Sequence, residues 1–263
     1  MGEFRGVFKR GSLGLIVLSL LLASSLSWAE SASKHKQFTT DFDLESCTFS
    51  VTGGNAYFSL DPAAGPMNPI LLEGVEDKEL VQVEIVVTND TMPIDLGALG
   101  LGVVVTRVVE ETEWIDGELV EESTNFFARC EETDSVYYFG EEVTIYEDGE
   151  IITGAEAGAW IAGELAEDGE SINMPGLIMP GTFLLGARYF QEVAPEVALD
   201  QADHVEMGLT VETPAGIFND SVRIQETTPL EPSSKDIKIY APGAGLIVDA
   251  VIERVNEFSE VEP

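Results

Sequence analysis

The chain has few residues of the kinds that build common catalytic and metal centres. Its 263 residues include 2 histidines and 2 cysteines. Two histidines exclude a histidine-rich zinc site. A Ser-His-Asp arrangement could use only His204, because His35 lies in a lysine-rich stretch near the N terminus. No Gly-x-Ser-x-Gly elbow, phosphate-binding glycine-rich loop or Asp-x-Asp-x-Asp-Gly calcium loop is present. The sequence therefore gives no reason to predict an enzyme.

Basic residues are also scarce. Lysine and arginine total 13 against 48 aspartates and glutamates, which gives a formal net charge of −35. A field of this sign repels phosphate backbones and anionic lipid surfaces, so nucleic acid is excluded as an expected partner. Three explanations of the acidity stay open: a surface suited to a salty exterior, divalent-cation binding by clustered carboxylates, and a basic protein partner.

Long apolar runs are confined to the N terminus. Three basic residues within the first ten precede an apolar run at 13–22, and Ser27 and Ala29 supply the small residues that signal peptidase requires. The run is shorter than the roughly 20 residues that span a bilayer. We therefore predict a signal peptide at residues 1–29, export to the periplasm or exterior, and no transmembrane anchor after cleavage.

The two cysteines, Cys47 and Cys130, both follow the predicted signal peptide. In an oxidising compartment a lone pair of cysteines is expected to form a disulfide. A reactive or metal-binding thiol needs electropositive surroundings, whereas Glu131 and Glu132 follow Cys130 directly. A disulfide that closes this loop would stabilise the fold by roughly 4 to 5 kcal/mol in the chain-entropy model.

Strand patterns occupy most of the remaining chain. Residues 80–88 alternate with period two and are rich in β-branched side chains. We predict a flexible acidic segment at residues 30–46 and a single all-β domain at residues 47–263. Strands separated by turn signals predict a mainly β fold, with one curved antiparallel sheet closing into a barrel or half-barrel. A β-sandwich is the alternative, and at most one or two short helices are expected, one of them at 155–165.

The first of two Asp-Gly turns lies at residues 116–117. Asp and Gly tolerate the positive φ angles of a two-residue hairpin turn. A symmetric hairpin places Trp114 opposite Leu119 and Glu111 opposite Glu122. Like charges directly across an antiparallel pair repel, unless salt screens them or a bound cation reverses the effect.

A second Asp-Gly turn lies at residues 148–149 and has the same surrounding pattern. Its symmetric register places Tyr146 opposite Ile151 and Glu147 opposite Glu150. Each hairpin is thus predicted to have one apolar cross-strand pair near its tip and one pair of like charges.

A glycine- and proline-rich connection at 155–181 contains two Met-Pro-Gly sequences. Long connections of this kind are often functional, so this one is the candidate cover of a cavity. Paired methionines can bind cuprous copper, but methionine also fills irregular apolar gaps, and we predict no metal ligands. Ordinary core packing is the alternative role for the aromatics. The candidate cavity residues are Tyr137, Tyr138, Trp160, Met174, Met179, Tyr189, Phe190 and Tyr240.

Motifs near the C terminus carry a resemblance. Thr-Pro-Ala-Gly-x-Phe at 213–218 and Tyr-Ala-Pro-Gly-x-Gly-Leu at 240–246, with further matches from residue 80 onward, resemble a family of uncharacterised exported bacterial proteins. That resemblance implies exported β architecture and no particular activity. The same two motifs are similar to those of half-barrel envelope proteins, some of which carry lipid or lipoprotein cargo, which implies a half-barrel.

The sequence thus predicts an exported, non-enzymatic envelope or extracellular protein that binds an apolar or amphiphilic ligand in a curved sheet. The alternative is a structural or adhesive domain with calcium-binding surface carboxylates. An unidentified hydrolase is the third choice. No cofactor other than calcium is expected.

Overall fold

Alternating apolar and polar side chains place nearly all of the regular structure in β-strands. The computed structural model describes residues 37–63, 65–152 and 158–260, so the predicted signal peptide lies outside the described residues. The strands within this part of the chain are β1 (Phe49–Ser50), β2 (Ile70–Glu76), β3 (Glu79–Asp95), β4 (Val103–Ile115), β5 (Glu118–Cys130), β6 (Val136–Glu147), β7 (Glu150–Ile151), β8 (Trp160–Ile161), β9 (Gly176–Met179), β10 (Arg188–Phe190), β11 (Gln201–Thr213), β12 (Gly216–Thr227), β13 (Asp236–Ala241), β14 (Gly245–Asp249) and β15 (Ile252–Arg254).

These strands form one antiparallel sheet in the order β10-β11-β12-β13-β14-β15-β2-β3-β4-β5-β6-β7. Strand β1 pairs with β5, and both β8 and β9 pair with β6. The sheet is curved and not closed. The predicted mainly β fold with a curved antiparallel sheet is confirmed. The helices of the described residues are 3-10 turns at Leu44–Ser46 and Gly97–Leu99, and neither could cross a bilayer.

The sheet joins an N-terminal meander, β2 to β6, to a C-terminal meander, β11 to β15. Their junction is the β15–β2 pair, where Arg254 lies opposite Leu72. The buried Arg254 guanidinium donates hydrogen bonds to carbonyl oxygens, at 2.8 Å to Pro66 and 3.1 Å to Pro69. Longer bonds of 3.4 and 3.5 Å reach the carbonyls of Ala244 and Leu246. Arg254 therefore fixes the loop before β2 against the start of β14.

Both Asp-Gly sequences form the predicted hairpin turns. Asp116 and Gly117 have φ angles of 49° and 81°, and Asp148 and Gly149 have 52° and 77°. Such positive values are those of the turn type that matches the twist of a hairpin. The cross-strand pairs Trp114 with Leu119, Tyr146 with Ile151 and Glu147 with Glu150 are all confirmed.

The predicted pairing of Glu111 with Glu122 is wrong. The register between β4 and β5 shifts between Glu113 and Trp114, so that Glu113 lies opposite Glu121 and Glu111 lies opposite Ser123. An extra residue on one strand of an antiparallel pair is a β-bulge, and it changes every pairing beyond it. The bulge therefore decides which acidic side chains share a face.

The helix predicted at 155–165 is absent from its described part, residues 158–165. Trp160 and Ile161 instead form β8 against Glu141 and Gly140. Backbone packing is too tight for another residue at Gly140, where a Cβ atom would lie 2.1 Å from the Trp160 carbonyl oxygen. Gly163 also has a positive φ, 86°, which ends any helical run. Residues 155–157 lie outside the described residues.

The disulfide between Cys47 and Cys130 is confirmed, with Cα atoms 5.0 Å apart. It joins the start of the domain to the end of β5, where Phe49 of β1 lies opposite Cys130. Within the segment predicted as flexible, Leu44 is buried, and the backbone of Thr39 hydrogen-bonds to Arg188 and Phe190. The described residues belong to one compact unit that begins at Gln37.

Candidate ligand-binding cavity

One face of the curved sheet encloses a cavity of about 240 Å³. Successive side chains of a strand point to opposite faces, so residues two apart share a face. Strand β3 contributes Ile85 and Val87, β4 contributes Val109 and Glu111, and β5 contributes alternate residues from Glu121 to Phe127. The cavity is thus built by one face of strands from both meanders. Further apolar walls come from Tyr57, Phe58, Met67, Ile70, Ile178 and Leu246.

Acidic side chains are concentrated in this cavity. The carboxylates that line it are those of Glu111, Glu121, Glu141, Glu192, Asp200, Glu226 and Asp249. Among the described residues that line the cavity, Lys238 is the only cation. Its Nζ atom lies 3.2 Å from a carboxylate oxygen of Glu226 and 3.5 Å from one of Asp249.

Burial raises the pKa of Glu111 to about 7. The positive charge of Lys238 opposes this rise, whereas the negative charges of Asp249, Glu121 and Glu141 add to it. Two effects therefore act in the same direction, because desolvation and neighbouring carboxylates both disfavour the charged form.

Two neighbours of Glu111 behave in the same way. Burial raises the pKa of Glu141 to about 7; the negative charges of Glu121 and Asp200 add to this rise, and the positive charge of Lys238 opposes it. Burial and the charges of Glu141, Asp200 and Glu226 raise the pKa of Glu192 well above its usual range. In all three groups, the neutral form is favoured over part of the pH range in which an exposed carboxyl group is charged.

Three other acidic residues of the lining also have raised pKa values. Burial raises the pKa values of Glu121, Asp200 and Glu226. Burial acts to lower the pKa of Lys238, but Asp249 and Glu226 outweigh it and raise that pKa well above the usual value. Lys238 is therefore a permanent cation that offsets part of the negative charge.

Water still reaches the cavity. The side chain of Lys238 is 28% exposed, that of Asp249 27% and that of Glu226 11%. Protein surrounds these groups on most sides, but the cavity opens to solvent.

Polar side chains complete the wall. The Tyr138 hydroxyl donates to Asn125 Oδ1, and Asn125 Nδ2 donates to Ser123 Oγ at 2.9 Å. Gln191, 2% exposed, donates through Nε2 to Glu226 at 2.8 Å. Its Oε1 atom is buried without a hydrogen-bond partner among the described residues. An unpaired buried acceptor costs free energy, so a donor from a ligand would be favourable there.

The structure places two of the eight predicted cavity residues, Tyr138 and Tyr240, in the cavity wall. Tyr137 points to the opposite face of β6 and packs against Phe42 and Phe49. Trp160 is not part of the lining and packs edge-on against Tyr138, with ring centroids 5.5 Å apart.

The other four lie away from the lining. Met179 is fully buried opposite Val136, and Met174 forms a bridge with Val193. Tyr189 bonds to His204 through its hydroxyl. Phe190 packs edge-on against Phe38.

Sequence reasoning missed the acidic residues of the cavity. A signal was present: Glu111 and Glu121 have the parity of core side chains in their strands, and Lys238 has the parity of the buried Tyr240 in its short strand. With so many acidic residues in the chain, that parity could not separate buried carboxylates from exposed ones. The residues of the 191–200 connection had no periodic signal at all.

His204 lies outside the cavity and is held by packing. Its Nδ1 lies 3.1 Å from the Leu184 carbonyl oxygen, and its Nε2 lies 2.8 Å from the Tyr189 hydroxyl. Its ring stacks on Phe183 with centroids 3.8 Å apart. Burial lowers the pKa of His204 to about 4, so the imidazole is neutral near pH 7 and serves as a buried hydrogen-bonding group.

Among the described residues, one group of three potential metal ligands has its ligand atoms within 4.8 Å of one another: Cys47, Cys130 and Glu132. Both of its sulfur atoms belong to the disulfide. Calcium takes six to eight oxygen ligands at about 2.3 to 2.6 Å, so the cavity carboxylates are too widely spaced for a preformed site of that kind.

Comparisons with protein-family models, curated proteins and solved structures found no match to this chain. The resemblance drawn from the C-terminal motifs therefore stays a prediction, and the cavity itself carries the functional argument.

Proposed function

We propose that this protein binds a small amphiphilic molecule in the cavity on the concave face of its sheet and acts as a non-enzymatic binding or carrier protein. The observation that carries the proposal is a solvent-connected cavity of about 240 Å³ with aliphatic and aromatic walls and a concentrated polar region. Ligand pockets combine mostly apolar walls with a few placed polar groups. The volume suits a small ligand or one end of a longer one.

The proposed compartment is the periplasm or exterior. The Cys47–Cys130 disulfide is compatible with it, because disulfides persist in oxidising compartments. The N-terminal sequence pattern supports the same assignment. Fractionation of expressing cells, with mass spectrometry to locate the N terminus of the product, tests it. An intact polypeptide recovered from the cytosol would contradict export.

A fluorescent probe tests binding in the cavity. The apolar dye 1-N-phenylnaphthylamine should gain fluorescence on binding the wild-type protein. Val109→Phe places extra atoms in the cavity and should abolish most of that gain. Val105→Phe is the matched control, since Val105 lies on the same strand, is 47% exposed and is not part of the lining.

Thermal melts of both variants check that they fold, because overpacking costs typically 1 to 3 kcal/mol. Equal dye binding by folded Val109→Phe and wild type would remove the proposal. Mass spectrometry of a solvent extract of the natively purified protein adds a direct search for retained ligand.

The calcium-dependent structural or adhesive role stays a second prediction. A ligand that binds the native state alone raises its stability. Melting temperatures that are the same in calcium and in chelator would remove that role.

A further inference from the structure

We infer that the ligand of this cavity is a cationic amphiphile, with an ammonium or guanidinium head among Glu141, Glu192 and Gln191 and an apolar body along Ile85, Val87 and Val109. This inference rests on the proposed function and specifies the chemical class of its ligand. Three independent features of the cavity support it: its charge balance, an unpaired buried acceptor and its aromatic walls.

Most of the carboxylates that line the cavity form no salt bridge with a described residue. Lys238 forms salt bridges with Glu226 and Asp249. The other five carboxylates of the lining form no salt bridge with any described residue; they are Glu111, Glu121, Glu141, Glu192 and Asp200. Partly buried carboxylates are stabilised by a nearby opposite charge. A cation that enters the cavity would supply it, whereas an anion would meet strong repulsion.

Gln191 is a second, independent pointer to a hydrogen-bond donor. Its side chain is 98% buried, and its carbonyl oxygen is the atom left unpaired. The amide nitrogen is already used in the bond to Glu226, which fixes the orientation of the carbonyl oxygen. An ammonium group carries three donors and no acceptor. It therefore complements a wall that offers mainly acceptors.

Aromatic rings line the same cavity. Phe127 stacks on Tyr138 with centroids 4.5 Å apart, and Phe58 lies edge-on to Phe127 at 5.2 Å. The faces of such rings attract cations, most strongly where water is partly excluded. They also pack against methylene groups. An organic cation uses both properties, whereas a bare metal ion would need a compact set of oxygens, which these carboxylates do not form.

Calorimetric titration with three eight-carbon probes tests the class of ligand. The probes are n-octylamine, n-octanol and sodium octanoate, which differ in head group, and each is titrated into the exported protein at pH 8. We expect octylamine to bind at least about tenfold more tightly than octanol, a difference of about 1.4 kcal/mol. Octanoate should show no binding.

Variants locate the head group. Glu141→Gln combined with Glu192→Gln should weaken octylamine binding about tenfold and leave octanol binding unchanged. Glu110→Gln is the control for net charge, because Glu110 is exposed on the other face of β4. Ethylamine, which lacks the apolar body, should bind far more weakly than octylamine.

Titration at pH 5.5 adds a separate check. Octylamine stays protonated there, while Glu111 and Glu141, each with a pKa of about 7, become neutral. The charged and titratable groups around these two are Lys238, Asp249, Glu121, Asp200, Glu192, Tyr138 and Tyr240. Octylamine affinity should therefore fall several-fold, and octanol affinity should not change.

Each outcome separates the two proposals. Equal binding of octylamine and octanol would overturn the cationic class and leave amphiphile binding intact. Preferential binding of octanoate would do the same. Failure of all three probes to bind would count against the proposed function itself.

Discussion

Tyr137 and Tyr138 are neighbours on β6, yet they belong to two different regions of the molecule. Tyr137 packs among Phe42 and Phe49, with ring centroids 5.7 and 6.1 Å away, beside the Cys47–Cys130 disulfide. Tyr138 faces the cavity, where it bonds to Asn125 and lies near Glu141. One face of the strand is closed by packing, and the other is left open to solvent and charge.

The comparison shows that the packed region stabilises the folded state, whereas the charged groups of the cavity destabilise it. On the packed side, buried aromatics lose contact with water and contribute to folding. On the cavity side, the raised pKa values of Glu111 and Glu141 mean that ionising them at neutral pH opposes folding. Groups that oppose folding are common at binding sites. Substitutions in the two regions should therefore change the free energy of unfolding by amounts that differ in sign and size.

Removal of the disulfide should have the largest effect. The double variant Cys47→Ser and Cys130→Ser opens a loop with a sequence separation of 83. We expect the free energy of unfolding to fall by about 4 to 5 kcal/mol in the chain-entropy model, measured by urea denaturation. Octylamine binding by the fraction that stays folded should not change. A loss of less than about 1 kcal/mol would contradict the assignment of this crosslink to the stabilising region.

Truncation of the packed face comes next. Phe139 is fully buried and lies 5.3 Å from Phe49. We expect Phe139→Ala to lower the free energy of unfolding by about 3 to 4 kcal/mol, through lost burial and a residual cavity. Tyr138→Phe, on the adjacent residue, removes one hydroxyl and serves as the comparison, with a loss of about 1 kcal/mol. Similar losses in the two variants would mean that the two faces do not differ in packing.

Protonation of His204, which lies outside the cavity, should destabilise the folded protein in acid. Its pKa is about 4 in the folded protein and about 6.5 when unfolded, so its neutral form supports folding fully above pH 6.5. That support, about 2 to 3 kcal/mol, should be lost progressively as the pH falls from about 6.5 to about 4. The chain has 2 histidines, so proton NMR with a His204→Gln variant identifies its resonance. A His204 titration midpoint near 6.5 would refute this prediction.

Glu111 should give the smallest effect, with the opposite sign. Its pKa is raised from 4.5 to about 7, so it opposes folding fully above pH 7 and not at all below pH 4.5. We expect Glu111→Gln to raise the free energy of unfolding at pH 8 by about 1 to 2 kcal/mol, a figure reduced for the water in the cavity. The gain should vanish near pH 4.5. Glu110→Gln, on the exposed face, should change the free energy of unfolding by less than about 0.5 kcal/mol. An equal gain in both variants would contradict the assignment of the effect to the burial of Glu111.

Local sequence signals predicted those features that depend on neighbours in the chain. The Asp-Gly turns and their Trp114–Leu119 and Tyr146–Ile151 pairs followed from turn geometry. The mispairing of Glu111 shows the limit of that reasoning, because a symmetric register cannot include the bulge beside Trp114. The predicted cavity residues divide between the cavity lining, with Tyr138 and Tyr240, and positions outside it, for a related reason. Aromatic residues near the glycine-rich connection were grouped by sequence position, whereas Tyr137 and Tyr138 point in opposite directions.

The sequence by itself determined the β class, both hairpin turns and the one possible pairing of two cysteines, because each depends on composition or on residues a few positions apart. Only the tertiary structure decided that Glu111, Glu192 and Lys238 meet in one cavity. They come from β4, from the connection that follows β10, and from β13, and their meeting depends on the curvature of the sheet and on one β-bulge. Period-two alternation defines two faces for every strand, but long-range pairing decides which face becomes the inside.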